Sequence, residues 1–477
     1  MKRRKPVTLK EGCCLAVVLY MVLAAAVYLI GGDQFFHRVR YVESVADTAG
    51  AVPVTQGGSI EQTFTAQADL LEGVWVKTCA FARKNQGTMM IRVLSDTDRS
   101  VVMNAAFDAA SLPDNDFVLV KPERPVENAR GRQFSILITT DSADAKTAPS
   151  VVYNDAVQSA GQLYFNGALQ KGTMCFSTQN EDILWFGPHY FEVAGAAGLL
   201  LAAYCVNLCW RRKKGRKSLG LNAIAAFTRY RFLLKQLVSR DFKTKYKRSV
   251  LGIFWSFLNP LLTMTVQYVI FSTIFKQSIK NFPVYLLTGI VFFNFFSESC
   301  GMGLMSILGN APLITKVYIP KYIFPVSRVL SSAINLLISM IPLLIAAVVT
   351  HAPIRPALLL LPISMACTIL FCIGVSFILS AGMVFFRDVQ FLWNVVSMLW
   401  MYATPIFYPT SIIPDQFMTL YKMNPLYQFI TFSRTIILQG VSPEPKAYLF
   451  CILCAVVPFA LGALLFKKTQ DKFVLNI

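Results

Sequence analysis

Charge is scarce in this sequence. Asp, Glu, Lys and Arg make up 15% of its 477 residues, while 55% are hydrophobic and the mean hydropathy is +0.51. Soluble globular chains carry roughly a quarter charged residues. A soluble fold of this composition would leave too much apolar surface uncovered, so membrane residence follows. Acid is the scarcer sign: 26 Asp and Glu face 45 Lys and Arg, a formal net charge of +19. Residues 38–187 hold 13 basic and 17 acidic groups, a balance of −4, which leaves +23 on the rest of the chain. That excess sits in short clusters beside apolar runs, the pattern of cytoplasmic membrane flanks and not of a nucleic-acid-binding face. Histidine is nearly absent. His37, His189 and His351 each lie near the end of an apolar run without ligand-like spacing, which argues against a metal centre. No GxxxxGK[ST] occurs, so the chain does not cradle ATP in a phosphate loop, and no Ser/His/Asp or Cys/His set has a local signature. Most of the eleven cysteines lie in apolar runs, where a thiol behaves as a small hydrophobe. Only Cys79 and Cys175 fall within 38–187, where a disulfide and two separately buried thiols are both open.

What the sequence has in abundance is apolar runs. The first, 13–30, follows the basic start MKRRK and is long enough to cross a bilayer. Its exit, GGDQFFHRVR, offers no small-x-small cleavage site, so residues 1–31 read as an uncleaved signal anchor with a cytoplasmic amino terminus. Residues 32–187 change character. Alternating stretches such as SIEQTFTA, LEGVWVKTCAF, TMMIRVL, QFSILITT and QLYFN are punctuated by the turn clusters KNQG, SDTD, LPDND and NARG. That spacing predicts an extracytoplasmic all-β sandwich between the first two spans. Asp96 and Asp98 in SDTDRS read as a hairpin turn, with a metal-binding DxD as the alternative.

A second span, 188–210, ends in RRKKGRK (211–217), a strong cytoplasmic stop signal. From there through Arg248 the only acid is Asp241. Within this basic linker, 211–248, the stretch 227–247 interleaves basic and apolar residues as an amphipathic helix in the cytoplasmic interface would; a solvated basic linker is the alternative. Residues 249–477 read as six spans, about 251–275, 283–307, 324–350, 356–384, 389–408 and 446–466. Lys316, Lys321, Arg387, Lys467, Lys468 and Lys472 mark the cytoplasmic ends. The expected fold is therefore a polytopic α-helical membrane protein of about eight spans with both termini cytoplasmic and an all-β sandwich inserted between spans 1 and 2. The stretch 409–445, broken by Pro414, Pro425 and Gly440, reads as a re-entrant segment, which survives at membrane depth where protein surrounds it.

The spans are crowded with aromatics. Trp255, Tyr268, Phe292, Phe296, Trp400 and Tyr402 would let a sugar polymer slide past on its C–H faces, or would serve as interface belts and core. Glu298 is different, because an ionisable group inside a span must face a bundle interior or water. Arg328 lies early in the next span and can reach back to the interface.

Several stretches then become recognisable together: SRDFKTKYKRSVLGIFWSFLNPLLTM (239–264), GNAPLITKVYIPKYIFP (309–325), VFFRDVQFLWNVVSMLWMYATPIFYP (384–409), MNPLYQFITFSR (423–434) and the closing FKKTQDKFVLNI. In order and spacing they resemble the ABC type-2 permeases that export polysaccharides, O-antigens and teichoic acids, over roughly 227–477. The resemblance implies a homodimer working with two copies of a separate ATP-binding subunit, which holds ATP and Mg while this chain binds no cofactor or metal. Its substrate would be a lipid-linked glycan moved outward across the plasma membrane. The same resemblance gives ATPase docking to Asn310, Leu313, Ile314, Lys316, Val317, Tyr318 and Pro320, with a secondary contact at Arg387 and Asp388. It makes 227–247 a gate for substrate entry. Arg240, Lys243, Lys245, Lys247 and Arg248 would neutralise the lipid phosphate with Tyr246 at the interface, or simply attract anionic lipid. Trp255, Tyr268, Phe292, Phe296, Glu298, Trp400 and Tyr402 would line the passage. Pro414, Asn424, Pro425 and Arg434 would belong to an outer gate. The sandwich resembles the jelly-roll modules of cell-envelope glycan proteins; Trp75, Tyr153, Tyr164 and Phe165 would stack on sugars or fill its core. Other functions weighed are a membrane-embedded glycosyltransferase, a ligand sensor, and an ABC type-2 exporter of a drug or peptide.

Overall fold

The computed structural model describes residues 9–43, 50–155, 161–216, 218–247, 249–275, 281–317, 319–410 and 413–476. Two compact units emerge: one from residues Phe35–His189, the other from the chain on either side of them.

The first unit is a sandwich of an eight-stranded and a six-stranded sheet. Leu70–Cys79 is the hub of the larger sheet, pairing antiparallel with Phe176–Ile183, Ser150–Asn154 and Asp116–Val120. In the smaller sheet Gln133–Thr140 lies antiparallel between Ser59–Thr65 and Thr88–Ser95. Period-two alternation explains the core: Val74 and Val76 from one sheet meet Phe64, Ile91, Val93, Phe134, Ile136 and Ile138 from the other, all buried. Of the aromatics expected to meet sugars, Tyr153 and Phe165 pack edge-on to each other 5.5 Å apart and against this core. Cys79 and Cys175 are separate thiols, and Cys79 donates to Asp114 Oδ1 at 3.4 Å. Asp98 closes its own turn by accepting from Ser100 N at 3.2 Å and Ser100 Oγ at 2.7 Å, bonds that hold its carboxyl below the ordinary carboxylate range.

The second unit is helical. Its helices are α1 (Leu9–Gly31), α2 (Tyr190–Lys213), α3 (Leu219–Tyr246), α4 (Phe254–Phe275), α5 (Phe282–Leu304), α6 (Ala311–Lys316), α7 (Ile323–Val349), α8 (Leu361–Phe385), α9 (Val389–Tyr402), α10 (Asp415–Met423), α11 (Pro425–Arg434), α12 (Pro445–Thr469) and α13 (Phe473–Asn476). Among the described residues seven helical stretches are long and apolar enough to cross a membrane, so this is a multi-pass membrane protein with a β-sandwich. The span expected at 389–408 differs. Its helix α9 has 14 residues and stops at Tyr402, ahead of Thr404 and Pro405; a residue before proline is driven out of the helical region. Helix α5 is the most buried of the long helices and packs on α4, α7, α8 and α11. Helices α8 and α12 approach closely where Gly374 faces the Phe459 backbone and Gly462 faces Gly374.

Candidate functional site

Helix α3 carries Tyr230, Leu233, Leu234 and Leu237 along one face, the i, i+3, i+4, i+7 stripe of an amphipathic helix. This face is covered by protein. It joins Ile307, Ile314, Ile323, Phe324, Phe377, Phe466 and Phe473 in one apolar cluster. The opposite face is basic and exposed through Arg229, Arg231, Lys235 and Lys243. The same cluster seats the short helix α6. Ile314 is buried, Leu313 is partly so, and Lys316 and Val317 stand exposed on the far side. Asn310 is buried and anchors the start of α6 by donating to Ser306 O at 2.8 Å. Pro320 is half-buried, and Arg387 and Asp388 are exposed ahead of α9. Tyr318 and Arg248 lie outside the described residues.

Two polar knots fasten the C-terminal end of α3. In the first, Asp241 is buried and its Oδ1 accepts from Arg240 at 2.9 Å and pairs with Arg328 of α7 at 3.3 Å. Arg240 also donates to Asn310 Oδ1 at 3.2 Å, so the helix is tied directly to the segment that leads into α6. A carboxylate removed from water needs this much compensation. One turn on, Lys245 Nζ meets Glu298 Oε2 of α5 at 2.8 Å. The other oxygen, Oε1, accepts from Asn335 Nδ2 at 2.8 Å and Ser332 Oγ at 3.1 Å, both on α7. Tyr246 donates to Asn335 Oδ1 at 2.8 Å and bonds the Ser256 hydroxyl of α4. Lys245 and Glu298, expected in separate sites, therefore form one. Asp241, Arg328, Ser332 and Asn335 were not among the expected site residues. Asp241 was visible as the only acid in a basic run and Arg328 as a charge early in a span, whereas Ser332 and Asn335 carry no sequence signal beyond being polar in an apolar stretch.

On the opposite end of the bundle, Arg434 is buried and bonds carbonyls. It donates to Pro405 O at 2.7 Å, Ile406 O at 3.0 Å and Tyr285 O at 3.0 Å, with its guanidinium 3.4 Å from the Tyr285 ring centre. Asn424 caps α11 by accepting from Leu426 N at 3.1 Å, accepts from Trp400 Nε1 at 2.9 Å and donates to Thr404 Oγ1 at 2.9 Å. Pro425 opens α11 and Pro414 is exposed before α10. Asn424 and Arg434 thus satisfy backbone carbonyls freed where α9 breaks.

The expected lining divides. Phe292 and Phe296 are 0% exposed and belong to the hydrophobic core, where Phe296 packs on Phe371, Trp393 and Trp400. Protein encloses both side chains on every side. Trp255, Tyr268 and Tyr402 lie on exposed faces of α4 and α9, which also display Val266, Val269, Phe391 and Leu399. Among the described residues no three His, Cys, Asp or Glu side chains gather as a metal site.

Comparison with known proteins places this half of the chain. Residues 233–438 match the family model described as ABC-2 type transporter. The chain is 30% identical over 250 residues to the O-antigen export system permease protein RfbA of Myxococcus xanthus, covering 52% of this chain and 96% of that protein. It is 32% identical over 247 residues to the protein of the same name from Klebsiella pneumoniae, covering 50% of this chain and 93% of that one. With the polysialic acid transport protein KpsM of Escherichia coli it shares 22% identity over 256 residues, 98% of that protein.

Proposed function

Because this chain belongs to the ABC-2 type transporter family, we propose that it is the membrane subunit of an ATP-driven exporter that moves a lipid-linked polysaccharide, or a teichoic-acid-like polymer, outward across the plasma membrane. One observation carries the reading: the alignment spans 96% of an O-antigen export permease at 30% identity. Two copies of the chain would work with two copies of an ATP-binding subunit. Both termini and the basic clusters would face the cytoplasm, with residues 32–187 outside. The exposed side of α6, with Lys316 and Val317, suits docking to that subunit, and Arg387 and Asp388 suit a second contact. Motion of α6 would reach α3 through the Arg240–Asn310 bond and the shared apolar cluster. Helix α3, with its basic outer face, would then admit a phosphate-bearing lipid head. Work comes from contacts that differ between two states of the assembly.

Depleting the chain from cells tests this. Lipid-linked polymer is expected to accumulate on the cytoplasmic face while surface glycan falls; normal surface glycan with no internal build-up would overturn the reading. Replacing Lys243, Lys245 and Lys247 together by Gln is expected to slow export without loss of folded protein. Unchanged export would remove the phosphate gate.

A further inference from the structure

The cluster around Glu298 has the composition of an anion site that is already filled. An ammonium, a hydroxyl and an amide N–H converge on one carboxylate: Lys245 at 2.8 Å, Asn335 at 2.8 Å and Ser332 at 3.1 Å. The amide is aimed, since its Oδ1 is held by Tyr246 at 2.8 Å and by Ser256 at 3.3 Å, which leaves Nδ2 directed at the carboxylate. The cluster is not sealed either. The Lys245 side chain is 38% exposed and that of Glu298 is 29% exposed, so a second anion can reach the ammonium.

We propose that Glu298 is a resident anion holding Lys245, and that the phosphate of the lipid-linked substrate opens the end of α3 by taking Lys245 from it. The proposal rests on the gate reading given above and assigns that gate its lock. A Lys ammonium is a point charge with freely rotating donors, so it exchanges a carboxylate for a phosphate oxygen without a geometric penalty. A lipid phosphate that reaches Lys245 brings a second negative charge beside Glu298 and repels it once bound. Carboxylate and phosphate therefore cannot share the ammonium comfortably, and the pair must separate. The geometry says where the chain bends. Asp241 remains held by Arg328 at 3.3 Å, one turn before Lys245, so the last turn of α3 swings while the rest stays seated. Asp241 is also where Arg240 ties α3 to Asn310. Phosphate arrival and motion of α6 thus act on the same short stretch, 240–246.

The test uses the full chain in phosphatidylcholine nanodiscs, with and without a polyprenyl monophosphate, reading lipid binding and amide hydrogen exchange over 238–247. In the wild type the phospholipid probe is expected to raise exchange in this stretch. Glu298→Gln keeps the side-chain size but removes the resident charge. It is expected to show raised exchange without the probe and to bind the polyprenyl monophosphate about tenfold more tightly. The swap Lys245→Glu with Glu298→Lys restores an ion pair, so it is expected to restore slow exchange while abolishing the response to the probe. Equal affinity of wild type and Glu298→Gln would overturn the exchange with Glu298 while leaving the gate reading intact. Binding by neither would overturn both. Release by inorganic phosphate alone would support the anion site and assign it to the free ion.

Discussion

Arg434 takes its charge into the protein and meets carbonyl oxygens there. Its planar fork reaches three carbonyls, at Tyr285, Pro405 and Ile406, from one position. Lysine cannot span all three. Arg434→Lys is therefore expected to destabilise the bundle by about 2–3 kcal/mol, and Arg434→Met by more because all three carbonyls lose their donor. Thermal unfolding in detergent checks this; an unchanged midpoint in both variants would mean that the carbonyls find other partners. Asp114 does a related job in the sandwich. It accepts from Ala80 N and Phe81 N at 2.8 Å and from Ala82 N at 3.1 Å, which pins two residues with left-handed backbones, φ 53° at Phe81 and 52° at Ala82. Desolvation pushes the Asp114 carboxyl up, but the three amides and the Cys79 thiol outweigh it and hold it below its ordinary value. A lowered folded pKa stabilises the fold above the unfolded value and loses that effect as pH falls through the folded one. Residues 35–189 expressed alone should thus be more stable than their Asp114→Asn variant at neutral pH, with the gap closing in acid. A gap that persists at full protonation would exclude the charge as its cause.

At the scale of the element, α3 shows how far the sequence reaches. Its amphipathic face was legible because period 3.6 is a local property. What covers the face was not, since Ile314, Phe377 and Phe466 arrive from elements far along the chain. Glu298 was legible through the cost of an ionisable group in a span, but its partner lies 53 residues earlier and pairs only through the fold. The burial of Phe292 and Phe296 was not legible, because core and lining aromatics share one composition and nothing local separates the two. The α8–α12 contact was equally silent. A Cβ on Gly374 would lie 2.5 Å from Phe459 Cα, and one on Gly462 would collide with the Gly374 carbonyl. Gly374→Ala must push the helices apart, at about 1–3 kcal/mol. Because the ends of both helices help to seat α3 and α6, export should fall with stability. A variant of wild-type stability would mean that the helices part without penalty.

For the whole molecule, charge is the strongest constraint on how the chain threads the membrane. Residues 38–187 carry −4 and the rest +23, and under the positive-inside bias the basic groups of 211–217, 316–321, 387 and 467–472 are expected on one face. Helix α9 is what puts this arrangement at risk. With 14 residues it is about 21 Å long, short of the ~30 Å of hydrocarbon. If α9 failed to cross, Lys467 and Lys468 would lie on the side opposite Arg387. Bonds from Arg434 and Asn424 to residues 404–406 offer the alternative: the chain completes its crossing in non-helical form, with its carbonyls satisfied inside the protein. Fusions decide between the two. Alkaline phosphatase placed at residue 130 is expected to be active and a fluorescent protein at the carboxy terminus to fluoresce. Phosphatase activity at the carboxy terminus would put the α12 lysines outside and leave α9 on the cytoplasmic side. Arg434 would then have to be explained without a crossing to complete.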